Sequence, residues 1–367
     1  MDALADSTLG SPQPDAGTPA PAGKKRLSSA ASLARRLGLH LVTTDALSIT
    51  RRRCGTGFAY YTADGRPIRA RAEVRRLNAL AVPPAYEDVL LAADPSAHLQ
   101  AIGRDAAGRL QYRYHLEWEK VREARKAQRL ARLVDALPRI RRSVAQHLAS
   151  DEPRRSLALA AVIEIVARSA IRSGSETYAR QRGTRGAATL LKSNVTTSDG
   201  TVTLSFRAKG GQNVCKAFYA ERLGAAIEVL RRLPGRRLFQ YRDEQGITRA
   251  VRAQEVNQFL RELAGEQISL KDFRTLCASA SALDTLARTL PATSARARRQ
   301  QVLEAVRAAA AELHNTPAIC RKSYVHATVV SAFENGVLER FSTMLRTCRS
   351  AARREQFLAQ IVAASAL

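Results

Sequence analysis

The sequence predicts an α+β fold in two parts: a small, mainly β N-terminal domain over residues 32–115 and a larger, mainly α domain over residues 116–367 that includes a short β-hairpin sheet. Three observations carry this. Between about Ala31 and His115 the apolar runs are short and broken by turn residues. From Leu116 onward apolar residues recur at helical spacing, and within that region Thr201 to Phe206 alternates with period two. The 367 residues suit two domains of roughly 100–200 residues each, and a hydrophobic content of 45% is enough for real cores.

Residues 1–31 read as a disordered tail. Met1 to Lys25 is rich in Ala, Pro, Gly, Ser and Asp, a composition that buries too little surface to offset its ordering entropy. It has neither the basic start nor the apolar core of a secretory leader. Next, the run from Phe58 to Gly65 reads as a strand entering an Asp-Gly turn, and Pro83-Pro84 forbids a helix at that point. The run from Gln100 to Tyr114 reads as a second hairpin turning near Ala107-Gly108.

In the second part, Leu130, Leu133, Val134 and Leu137 fall at i, i+3, i+4 and i+7, the stripe of an amphipathic helix. Its other faces carry Lys120, Arg122, Arg125, Lys126, Arg129 and Arg132, a bias to one sign that suits a phosphate-facing surface better than a solvated one. Leu157 to Ala167 is apolar except for Glu164 and predicts a buried helix ending near Arg172 and Gly174. Asp199-Gly200 and Lys209-Gly210-Gly211 bound the alternating strand as turns. The remainder reads as helices separated by Pro234-Gly235, Asp243 to Gly246, and Thr316-Pro317.

Charge points to the partner. The chain carries 59 Lys plus Arg against 33 Asp plus Glu, a formal net charge of +26, and such a protein gains free energy by displacing counterions from nucleic acid. Five scattered cysteines (Cys54, Cys215, Cys277, Cys320 and Cys348) include no Cys-x-x-Cys pair. That argues against a disulfide framework and a structural zinc site, and for a reducing cytosol. No apolar run reaches the ~20 residues that span a bilayer, so a membrane partner is not expected.

The chemistry is concentrated in Asn315-Thr316-Pro317-Ala318-Ile319-Cys320-Arg321-Lys322-Ser323-Tyr324, preceded by Lys271-Asp272-Phe273-Arg274. Cleaving a phosphodiester without a metal needs a nucleophile, positive charge on the non-bridging oxygens, and an acid for the departing 5′ oxygen. Tyrosine forms a reversible phosphate ester that conserves bond energy for religation. Arginine donates two hydrogen bonds to phosphate from a fork that stays protonated. Lysine suits the acid role where neighbouring cations lower its pKa.

This arrangement resembles the catalytic end of type IB DNA topoisomerases, in the poxvirus-like branch that also occurs in bacteria. In that family a polar residue before Thr-Pro lies nine positions ahead of the catalytic tyrosine, and a Lys-x-x-Arg box precedes both. The resemblance implies Tyr324 as nucleophile, Arg274 as the second arginine and Lys271 as an accessory phosphate contact. It implies Arg172, before Gly174 and with Tyr178 a few places on, as the first arginine. It implies Lys209, in the hairpin after the alternating strand, as the acid, and Asn315 as a hydrogen-bond donor to phosphate. The poxvirus pattern has histidine where this chain has Asn315, and His314 stands one place earlier as the alternative.

Gly108-Arg109-Leu110-Gln111-Tyr112-Arg113-Tyr114 is similar to the segment by which the family's small domain contacts the major groove. Gln111 has an amide suited to an adenine edge, whereas Tyr112 and Tyr114 suit either DNA contact or a small core. Overall the resemblance implies a fold related to tyrosine recombinases, an enzyme with no cofactor and no metal, and a monomer clamping double-stranded DNA in the cytoplasm, on the nucleoid. A tyrosine recombinase and a catalytically silent DNA-binding protein are the rival readings. Recombinases usually place histidine where Lys271 stands. Trp118 is expected at the junction of the domains, Cys320 as a packed thiol, and His98, His115, His147 and His326 in structural roles or as incidental DNA contacts.

Overall fold

A computed structural model describes residues 29–348 and 350–364. Most of the segment read as a tail lies outside that range, but its end does not. Helix α1 (Ala30–Arg36) begins two residues before the expected boundary, because the Ser29 hydroxyl accepts the Ser32 N–H and caps it.

The N-terminal part is an antiparallel five-stranded sheet in the order β2-β1-β3-β4-β5, built from β1 (Leu47–Cys54), β2 (Gly57–Tyr61), β3 (Glu87–Ala92), β4 (Leu99–Arg104) and β5 (Leu110–Tyr114). Both anticipated hairpin segments are present, and Asp105 closes the β4–β5 turn by accepting the Ala107 and Arg109 amides. The sequence reading did not find β1, β3 or helix α2 (Arg71–Ala79). β1 breaks the alternation with Arg51-Arg52-Arg53, and only its first half is buried. One sheet face packs Ile49, Val89 and Leu91 against Leu77 of α2, while the other buries Leu47, Leu99 and Ile102.

Helix α3 (Trp118–His147) leads into the second part and buries Leu130, Leu133, Val134 and Leu137, the predicted stripe. It passes through Pro138 without ending. Trp118 packs with α1 at the junction, its ring centroid 4.5 Å from that of His98, just before β4. The basic face is engaged within the protein. Lys120, Arg122 and Lys126 pair with glutamates one turn away, and Arg129 and Arg132 reach Asp272 and Glu266. Much of the charge expected to meet phosphate therefore ties the helix to itself and its neighbours.

Helix α4 (Arg155–Ser169) is buried on nearly every side, which is why its sequence shows no amphipathic period. After α5 (Glu176–Arg182) comes a three-stranded antiparallel sheet of β6 (Val195–Ser198), β7 (Thr201–Arg207) and β8 (Asn213–Tyr219). α6 (Glu221–Arg231) follows. The break at Asp243–Gly246 is present, but the chain on either side of it is not helical: it is the turn of a hairpin between β9 (Gln240–Arg242) and β10 (Thr248–Ala250). Asp243 accepts the Gln245 and Ile247 amides, an Asx turn that competes with helix formation.

The rest is helical: α7 (Ala253–Ala264), α8 (Leu270–Ala287), α9 (Ala295–Glu312), α10 (Pro317–Ser323), α11 (Ala327–Glu334), α12 (Glu339–Thr347) and α13 (Ala351–Ala364). One continuous core joins these helices to the β6–β8 sheet. Among the described residues no helix is long and apolar enough to cross a membrane.

Candidate active site

The tyrosine is delivered by a short helix with defined ends. Thr316 caps α10 by accepting the Ile319 N–H at 3.4 Å, and Pro317 occupies the first turn, where its missing N–H costs nothing. The helix stops at Tyr324, whose φ of −127° and ψ of −47° leave helical geometry. Ser279 of α8 fixes the segment: its hydroxyl donates to the Tyr324 carbonyl and accepts the His326 N–H, both at 3.1 Å. From α3, the Lys126 ammonium donates to the Val325 carbonyl at 3.3 Å and Glu123 accepts the Ala327 N–H at 3.3 Å. Tyr324 is thereby pinned at the backbone from two helices.

The cations converge on it. Lys271 and Arg274 share one face of α8 at i and i+3, where a Ser269–Asp272 capping box starts the helix. Arg274 is 2% exposed, with its guanidinium carbon 4.8 Å from the Tyr324 ring centroid, and the Lys271 Nζ lies 5.9 Å from the same centroid. Arg172 stands in the loop after α4. Ala170 ends that helix in the left-handed region, and Gly174 at φ +94° turns the chain back. Glycine is required twice here: a Cβ on Gly186 would stand 2.5 Å from the Gly174 nitrogen, and one on Gly174 would meet Thr189.

Arg172 donates to the Asn315 Oδ1 at 3.2 Å, and the Thr316 N–H donates to the same oxygen at 3.1 Å. Two donors on one oxygen fix the amide, leaving the Asn315 Nδ2 buried with no acceptor. His314 differs. Its backbone is left-handed at φ +47°, and the charges nearest its ring are Lys216 and Arg274 rather than Arg172. The structure thus brings Asn315, not His314, to the first arginine.

A cavity of about 390 Å³ collects Arg172, Tyr178, Lys209, Lys271, Arg274 and Tyr324. Lys209 occupies the exposed β7–β8 turn, with its Nζ 5.9 Å from the Tyr178 ring centroid. Gly210 and Gly211, both at positive φ, allow that tight turn. Burial pushes the Tyr324 phenol up. The charges of Arg274, Arg172 and Lys271, with a hydrogen bond to Arg274, outweigh it, so the net shift is below the ordinary value of 10.0. Cys320 is buried and its thiol is pushed up to about 11, which fits a packed thiol.

The segment Gln111 to Tyr114 is split between two faces of edge strand β5. Tyr112 and Tyr114 are 47% and 43% exposed and stack at 6.2 Å, and Tyr114 stacks in turn on Trp118. Strand alternation puts Gln111 on the opposite face, where its amide donates to Asp105 at 2.9 Å. Arg109, in the turn of this hairpin, is paired with Asp105.

Comparison with known proteins bears on this geometry. Residues 116–349 match the family described as eukaryotic DNA topoisomerase I, catalytic core, and residues 57–105 match bacterial DNA topoisomerase IB, N-terminal domain. The chain belongs to the type IB DNA topoisomerase family. A relative, DNA topoisomerase 1B of Acanthamoeba polyphaga mimivirus, is 30% identical over 294 residues, which is 78% of this chain and 88% of the relative.

For this topoisomerase, the candidate residues named from the sequence include Arg172, Tyr178, Lys209, Lys271, Arg274 and Tyr324, which line one cavity, but not two residues that hold its framework. Ser279 bridges the backbone on both sides of Val325, and Lys216 of β8 reaches the ends of α4 and α9. Neither had a legible signal: a serine within an apolar helix and a lysine on a strand are common surface residues.

Proposed function

We propose that this type IB topoisomerase relaxes supercoiled DNA through a covalent 3′-phosphotyrosyl intermediate on Tyr324. The observation carrying this reading is the phenol held among Arg172, Arg274 and Lys271 in one cavity, with Lys209 on the opposing hairpin. The Tyr324 oxygen attacks the phosphorus as the phenolate, its proton having passed to solvent, the bond to the 5′ oxygen breaks, and Lys209 gives that oxygen a proton. Arg172, Arg274 and the free Asn315 amide stabilise the non-bridging oxygens as they gain charge. Strain then rotates the free 5′ end, which attacks the phosphotyrosine and reseals the strand. The ester stores the bond energy, so ATP has no role.

Monomeric action follows in this reading, because one chain supplies every catalytic group. A net charge of +26 supports residence on the nucleoid in the cytoplasm. The order Arg, Lys, Arg, Tyr is the ground for relating the helical domain to tyrosine recombinases. The test is relaxation of supercoiled plasmid in EDTA without ATP. We expect full activity, since the chain's own cations neutralise the phosphate, and strict dependence on Mg²⁺ would overturn the mechanism.

The lowered Tyr324 pKa adds a pH prediction. A phenol shifted below 10.0 in the folded protein stays ionised to lower pH than a free one. Single-turnover cleavage is measured on DNA whose bridging 5′ oxygen is sulfur, which removes the need for an acid. The rate should rise with pH and level off before pH 10.0. A rate still climbing through that point would mean that the cations do not act on the phenol.

A further inference from the structure

Lys216 lies outside every motif of the site, yet its ammonium is committed to the site's framework. It donates at 2.6 Å to the Ser169 carbonyl, at the last residue of α4, and at 2.6 Å to the Glu312 carbonyl, at the last residue of α9. These carbonyls are at helix C-termini, where the dipole is negative and the last C=O groups lack intrahelical partners, so a cation is favoured on both counts. Arg172 lies three residues beyond Ser169, and Asn315 three residues beyond Glu312. Lys216 itself stands on β8, paired with Leu204 of β7 in the hairpin that presents Lys209.

Arg274 repeats the connection one residue further along both segments. One of its terminal nitrogens donates to the Ala170 carbonyl and the other to the Leu313 carbonyl at 3.3 Å, while its Nε is buried with no partner. Two cations therefore form successive rungs between the same two helix ends. The inner rung belongs to a candidate catalytic arginine. The outer one, if absent, would leave Arg274 alone to hold together two negative helix ends while also serving the phosphate.

We propose that Lys216 is a positioning residue for the cleavage reaction, fixing the Arg172 loop, the Asn315 segment and the Lys209 hairpin relative to one another without touching DNA. This rests on the reading of the site given under Proposed function. The role requires a charged group with at least two donors. An apolar side chain of equal length fills the space but leaves both carbonyls unpaired, and a displacement of about 1 Å at the reacting groups is enough to cost on the order of 10²-fold in rate.

The test compares Lys216→Met and Lys216→Arg with the parent in plasmid relaxation, and in single-turnover cleavage at a site mapped beforehand. The methionine variant should turn over about 10²-fold more slowly at saturating DNA, with an unchanged half-saturating DNA concentration. A large part of its defect should persist on 5′-bridging-sulfur DNA, because Arg172 and Asn315, which act on the non-bridging oxygens, are displaced along with the Lys209 hairpin. Lys216→Arg, which keeps the charge and two donors, should recover most of the rate. Should the methionine variant fail to unfold cooperatively on heating, Lys216→Gln, neutral and shorter but still polar, takes its place in every comparison.

Cleavage by the neutral variant at the parent's rate would overturn the proposal. So would complete rescue by the sulfur substrate, which would confine the effect to proton donation, or a defect confined to DNA affinity, which would make Lys216 a phosphate contact. Peptide mapping of the parent's DNA adduct separates this from the underlying reading. An adduct away from Tyr324 would sink the site assignment, whereas an adduct on Tyr324 with full activity in Lys216→Met would sink only the positioning role.

Discussion

Tyr324→Phe should abolish the covalent protein–DNA adduct and all plasmid relaxation, while affinity for duplex DNA stays close to that of the parent. Only one oxygen is removed. The ring is 9% exposed and packs against the Arg274 guanidinium at 4.8 Å, contacts that phenylalanine keeps. Its backbone anchors, from Ser279 to the carbonyl and through Lys126 to the next residue, do not involve the side chain. Stability should change little, because the lost hydroxyl faces cations rather than a buried acceptor. The measurement is SDS trapping of the adduct beside a filter-binding titration. A persistent adduct would move the nucleophile to another residue, and lost binding would mean that the phenol also holds the substrate.

Lys209→Ala should slow cleavage of ordinary DNA by about 10²–10⁴-fold, the usual contribution of a general acid to a poor leaving group. On DNA with a bridging 5′ sulfur, which leaves without a proton, the same variant should cleave nearly as fast as the parent. Lys209 is positioned for this by the β7–β8 turn, in the cavity that Lys271 and Tyr324 also line. Arg274→Ala should show no such rescue, since it removes charge from the non-bridging oxygens and also loosens the Ala170 and Leu313 carbonyls. Equal defects of Lys209→Ala on both substrates would reduce this lysine to a phosphate contact and send the search for the acid elsewhere.

Legibility in the sequence followed the range of the forces involved. The stripe of α3, the wholly apolar α4, the alternation of β7 and the Asn-Thr-Pro start of α10 are all set by neighbours within a few residues, and each formed where its pattern stood. The same holds for the glycine at 174, whose positive φ is a local demand. The hairpin at Asp243 to Gly246 was misread because an Asx turn and a helix break share the same residues, and only pairing between β9 and β10 separates them.

By itself the sequence determined the chemistry on offer: a tyrosine, two arginines, a lysine and an asparagine in a fixed order, on a chain charged to bind a polyanion. Only the tertiary structure decided how those groups are held, since those contacts join residues far apart in the chain. Arg129 and Arg132 of α3 are held by Asp272 of α8 and by Glu266 in the loop before it, whereas Lys120 and Arg122 stay exposed beside glutamates one turn away. Gln111 and Tyr112 parted to opposite faces because a strand alternates. Ser279 and Lys216 gained their roles from backbone groups 45 or more residues away, a distance at which no local pattern carries information.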